Sequence, residues 1–258
     1  MVPTLQGHKR VNGIFMHYEI YGSGKPLVLI HGGGSSIRYD YREIIPRLQD
    51  RFRLIGIDLQ NHGKSDHRDI PETFEQDADD VVGLLRELHI ERAFFWGFSN
   101  GGNTVLQIAH RHPTFVDKLV VASAFFKREG MVDGFFENMQ QATLADMPLT
   151  LRANFLDQTP NEVKLQNLFE KDRKRMQTFE DWSPAIFNSI TCPTLFICGD
   201  HDVMKPEHVI EMWRLVPNSR LLILPATHGS YMMADFDNHV HTTLIDHTVD
   251  TVVTFLQE

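Results

Sequence analysis

Six short, largely apolar runs, at residues 26–30, 52–57, 93–96, 118–122, 193–198 and 220–224, recur along the chain, and segments of helical spacing lie between most of them. Runs of that length suit strands whose sheet is covered on both faces. The clearest helical segment spans 74–89, where Ala78, Val81, Val82, Leu84, Leu85 and Leu88 return at helical intervals. Others cover 103–112, closed by Pro113, 206–215, and a last one ending at Leu256. Alternation of this kind predicts a mostly parallel sheet with helices on both faces, an α/β fold. Asn12 and Gly13 separate residues 9–11 from 14–20, a two-residue turn signal, so an antiparallel pair opens the fold. Between 127 and 190 the alternation lapses into helical patterns without a strand. The chain therefore divides into a core, 1–126 with 191–258, and a helical insertion, 127–190, above the sheet.

A length of 258 residues fits one domain of the larger α/β kind. The formal net charge of −9 argues against general binding to nucleic acid or to an anionic membrane. No run of about 18 apolar residues exists to span a bilayer, and the first ten residues lack an apolar stretch after a basic start. A cytoplasmic location is expected. If Cys192 and Cys198 share a strand they stand roughly 20 Å apart, too far for a disulfide. Two buried thiols in a reducing compartment are the expectation.

The residues Gly97, Phe98, Ser99, Asn100 and Gly101 fit Gly-x-Ser-x-Gly, with a strand before and a helix after. So sharp a turn strains the serine backbone and leaves no room for side chains two positions to either side, hence the glycines. The Ser99 hydroxyl is thrust into open space. The Asn100 N–H lies at a helix N-terminus, where a developing negative charge is favoured.

At this point the chain resembles the α/β-hydrolase family, over nearly its whole length. The resemblance rests on four pieces in the family's order. These are His31, Gly32, Gly33 and Gly34 after a strand, the turn from Asp58 to Ser65, the Ser99 elbow, and two late motifs. The late motifs are Gly199, Asp200, His201, Asp202 and Pro225, Ala226, Thr227, His228, Gly229. The resemblance implies an eight-stranded type of sheet with a helical cap, and a triad of Ser99, Asp202 and His228, with Asp200 the alternative acid. It implies an oxyanion hole from the backbone N–H groups of Gly33 and Asn100, with Gly34 a further candidate. A triad histidine must titrate near neutrality to take the serine proton and return it. With 14 histidines in the chain, position after the last strand singles out His228. His31 is expected to be buried and bonded to backbone. His239, His241 and His247 read as surface. Gln60 and Asn61 depart from the family's usual turn, which is read as structural.

The insertion resembles the family's cap, and its Met and Phe residues suggest an apolar roof over Ser99. Phe126, Met131, Phe135, Met139 and Trp182 are the expected pocket residues. The charge run 170–175 reads as a solvated helix face. The expected activity is hydrolysis of carboxylic esters with a small to medium apolar acyl or alcohol part, through an acyl-enzyme, by a monomer or homodimer. That chemistry needs no cofactor and no metal. A lactonase, a thioesterase or a carbon–carbon bond hydrolase would use the same triad, and a receptor-like protein with little turnover is the reading of another class.

Overall fold

The computed structural model describes residues 2–235 and 237–258. Eight strands form one sheet: β1 (Leu5–Val11), β2 (Ile14–Tyr21), β3 (Pro26–Ile30), β4 (Arg53–Ile57), β5 (Ala93–Phe98), β6 (Val116–Ala122), β7 (Thr194–His201) and β8 (Ser219–Thr227). Their order across the sheet is β1-β2-β4-β3-β5-β6-β7-β8. β1 pairs with β2, and β2 with β4, antiparallel. Every later pairing is parallel. Asn12 and Gly13 both have positive φ, as the opening hairpin turn requires.

The described helices are α1 (Ile37–Asp40), α2 (Ile45–Leu48), α3 (Phe74–Glu87), α4 (Asn100–Arg111), α5 (Phe135–Gln141), α6 (Leu149–Gln158), α7 (Glu162–Gln177), α8 (Ala185–Asn188), α9 (Pro206–Leu215) and α10 (Thr242–Gln257). Strand alternation sorts the core into two layers. Val28, Ile30, Ala93 and Phe95 face a layer that includes apolar residues of α3, α4 and α9. Leu27, Leu29, Phe94 and Trp96 face the other, with apolar residues of α1, α2 and α10. Both faces are thus dry, which is why the strands read as unbroken apolar runs.

Two boundaries beside Ser99 differ from the sequence reading. α4 begins at Asn100 rather than Asn103, because Gly101 and Gly102, weak helix formers, are buried against the sheet and tertiary packing overrides propensity. β5 runs on to Phe98, directly into the elbow. Helices α5 to α8 lie between β6 and β7, and the two ends of the stretch that carries α5 to α7 meet. Trp182 N donates to Phe126 O at 2.8 Å, and Arg128 N to the Asp181 carboxylate at 2.7 Å.

Candidate active site

Ser99 is the single residue between β5 and α4, held at φ 53° and ψ −120°. Its N–H donates to Ala122 O on β6 at 2.8 Å, and its carbonyl accepts the first turn of α4 from Asn103 N at 3.1 Å. The flanking glycines are steric necessities. A Cβ at Gly97 would stand 2.1 Å from Gly101 O, and one at Gly101 would stand 2.1 Å from Ile30 O. The strand therefore passes into the helix with the serine side chain alone at the crest.

His228 lies in the loop after β8 and Asp202 in the loop after β7. His228 Nδ1 and Asp202 Oδ1 are 2.6 Å apart. The same carboxylate accepts from Val203 N at 2.7 Å, Gly199 N at 3.2 Å and the Ser123 hydroxyl at 2.5 Å. Ser123 also bonds the Tyr231 hydroxyl at 2.6 Å. Burial alone would raise the Asp202 carboxyl. The neighbouring His228, with the bonds from His228, Ser123 and Gly199, outweighs it and holds the group below the ordinary range. Asp200 is engaged elsewhere, with Ala226 N at 3.0 Å and the His201 ring at 3.0 Å. The His228 ring packs on Phe98 with centroids 4.8 Å apart.

Ser99 and His228 border one small chamber of about 70 Å³, shared with Tyr39, Asp40, Phe98, Leu151 and Met233. No hydrogen bond joins the Ser99 hydroxyl to the ring. Such bonds commonly tighten only with substrate bound. Ser99 also borders a larger chamber, of about 250 Å³, lined by Phe135, Met139, Met147, Leu151, Phe169 and Met176 among others.

The glycine loop after β3 presents three successive N–H groups. Gly32 N donates to Asp40 Oδ2 at 2.7 Å, and Gly34 N to Asp172 Oδ2 at 2.6 Å. Gly33 N has no acceptor among the described residues, and neither has Asn100 N, which at the first helical position has no intrahelical partner. Of the two loop donors considered from sequence, Gly34 is thus occupied and Gly33 is free. Burial pushes the Asp40 carboxyl up to about 6, against the bonds from Ser35 and Gly32. His31 donates from Nδ1 to Gly32 O at 2.7 Å and accepts from Leu59 N at 3.0 Å. Burial, with His62 beside it, depresses its pKa to about 3, so the ring is neutral and fixes the loop to the turn at 58–65.

His62, in that turn, has Nδ1 2.9 Å from Gln60 O and Nε2 2.9 Å from Asp172 Oδ2. Burial disfavours its charge, but Asp172 overrides it and lifts the pKa to about 9. Both ring nitrogens then donate, so the acceptor for Gly34 N is the carboxylate.

The expected pocket residues divide. Phe135 and Met139 line the larger chamber. Phe126 does not. It is fully buried between Phe187 and His208, with ring centroids 4.6 and 4.7 Å away. Met131 is core, bridged through its backbone to Met204. Trp182 packs edge-on to Phe74, with centroids 5.7 Å apart, and borders a separate surface cavity. An apolar side chain suits a core and a cavity wall equally, so residue type could not separate them. The reading of 170–175 as a solvated face also needs correction. Arg175 is buried and pairs with Glu72 and Asp77, each at 3.0 Å, while Asp172 reaches the glycine loop. Asp40, Ser123 and Tyr231 carried no motif in the sequence, and His62, within the turn read as structural, was given no role of its own.

A serine at a strand–helix elbow on an eight-stranded, mostly parallel sheet defines a class, and the chain belongs to it: residues 25–166 match the family model of the alpha/beta hydrolase fold. Among relatives, Serine hydrolase BPHL of Mus musculus is 27% identical over 242 residues, covering 83% of this chain and 77% of its own. Uncharacterized hydrolase YugF of Bacillus subtilis is 33% identical over 247 residues, covering 84% of this chain and 88% of its own. A solved structure, the meta-cleavage product hydrolase of Pseudomonas fluorescens, superposes with a TM-score of 0.78 at 21% identity over 97% of both chains, a likeness of fold.

Proposed function

We infer that this hydrolase cleaves carboxylic esters through an acyl-enzyme. The observation that carries the reading is the 2.6 Å bond between His228 and Asp202, with the ring of that histidine and the elbow serine bordering the same chamber. Ser99 Oγ attacks the ester carbonyl as His228 Nε2 takes its proton, and Asp202 holds the ring and steadies its charge. The Gly33 and Asn100 N–H groups receive the oxyanion. The C–O bond breaks and the alcohol leaves with the proton from His228. Water, deprotonated by the same ring, attacks the acyl-enzyme, the acid departs and Ser99 regains its proton. The step draws on water alone.

The chambers suggest how the ester lies. The leaving oxygen must be near the histidine that protonates it, so the alcohol belongs in the small chamber. The acyl part then takes the larger, apolar one beside Gly33 and Asn100. An apolar acid of medium length esterified to a short alcohol is the preferred substrate. A panel of esters of rising acyl length, with lactones and thioesters beside it and Ser99→Ala as control, tests the reading. Turnover of the esters by wild type and none by the variant is expected. Equal rates for both would refute it.

A further inference from the structure

The loop at 32–34 is three glycines in succession, so nothing intrinsic to the chain holds its N–H groups in one direction. Two carboxylates from different parts of the molecule do so. Asp40, the last residue of α1, takes Gly32 N, and Asp172, midway along α7 in the insertion, takes Gly34 N. Between them only Gly33 N is left without a protein acceptor among the described residues. We propose that Asp172 is a positioning residue for the oxyanion loop, so that the hole has its working geometry only while α7 is seated on the core. The proposal rests on the assignment of Gly33 as an oxyanion donor made above.

The seating of α7 supports it. Asn167 Nδ2 donates to Asn61 Oδ1 at 2.9 Å, Lys171 Nζ bonds Arg68 O, and Arg175 pairs with Glu72 and Asp77. Positions 167, 171 and 175 recur every four residues, so one face of the helix grips the segment 61–77. Asp172 sits beside that face and turns its carboxylate to the loop.

Charge compatibility supports it as well. A Cβ on Gly33 would lie 3.3 Å from Asp172 Oδ2, so the carboxylate is close to where negative charge develops. An uncompensated anion there would oppose the reaction. The His62 imidazolium, 2.9 Å from the same oxygen, cancels it. The pair therefore holds the loop without repelling the oxyanion.

The test compares wild type with Asp172→Ala, Asp172→Asn and Asn167→Ala, using the rate of fluorophosphonate labelling at Ser99 and the steady-state kinetics of a short-chain ester. In Asp172→Ala both the labelling rate and kcat fall, by about 10- to 100-fold, with KM within about threefold. Asp172→Asn keeps an acceptor for Gly34 N and recovers part of the loss. Asn167→Ala, which removes one peripheral contact of α7 while Lys171, Arg175 and Asp172 keep the helix seated, stays within about twofold of wild type. A wild-type rate in Asp172→Ala overturns the proposal, and so does an equal loss in Asn167→Ala. If circular dichroism shows Asp172→Ala unfolded, Asp172→Asn carries the test: a rate at least about threefold below Asn167→Ala supports the proposal, and a matching rate overturns it. Failure of wild type itself to label at Ser99 refutes the underlying assignment of the serine, a different result from any of these.

Discussion

At the residue scale, the site depends on a few positions that tolerate no other side chain. A methyl group at Gly101 has nowhere to go, since the backbone oxygen of Ile30 occupies its place. Gly101→Ala is expected to abolish soluble, folded protein, as read by circular dichroism, whereas Ser99→Ala should fold and melt like wild type. Asp202→Asn keeps the shape but presents an amide where the ring needs an anion. Its kcat should fall by about four orders of magnitude with KM little changed, by the general behaviour of such triads. Ser123→Ala removes one of four hydrogen bonds to that carboxylate and should cost about three- to tenfold in kcat. The elbow serine, the histidine and the acid were legible because each closes a strand with a short pattern of its own. Ser123 was not, because a lone serine after a strand is common and its role comes only from what folds against it.

At the element scale, α7 shows what sequence periodicity leaves out. A charged residue facing water and one facing a buried partner have the same letters, so the run at 170–175 could not reveal that Arg175 and Asp172 turn inward. The pair of Asp172 with His62 makes stability depend on pH. The His62 pKa is raised from 6.5 to about 9, so its contribution is full below the unfolded value and is lost as pH rises through about 9. The Asp172 pKa is lowered from 3.8 to about 2, so its contribution is present above the unfolded value and lost as pH falls toward 2. Glu72, which raises the His62 pKa, and Arg175, which lowers that of Asp172, both favour the charged pair. The difference in melting temperature between wild type and Asp172→Ala should therefore be largest near pH 5 to 6 and shrink by pH 9.5, as thermal denaturation at the two pH values would show. A constant difference would mean that the pair does not titrate as described.

At the scale of the whole molecule, the sheet and its two covering layers were readable from apolar runs alone, because covering both faces forces that pattern. The cavities were not, since they are defined by gaps among side chains from distant segments. Leu151 borders both chambers, as do Gly33 and Ser99, and is the one large side chain common to the two linings. Leu151→Ala should merge them and raise kcat/KM for esters of bulkier alcohols relative to methyl esters, measured across one acyl series. The two ends of the stretch that carries α5 to α7 meet where Trp182 N donates to Phe126 O. A piece of chain attached that way can change its length without pulling on any strand, while Arg175 and Asp172 tie its contents to the core. A transplant from another hydrolase would import a new wall for the acyl group while the bond-breaking groups stayed where they are. It would also discard the acid that braces the glycine loop, so a successful exchange must bring its own.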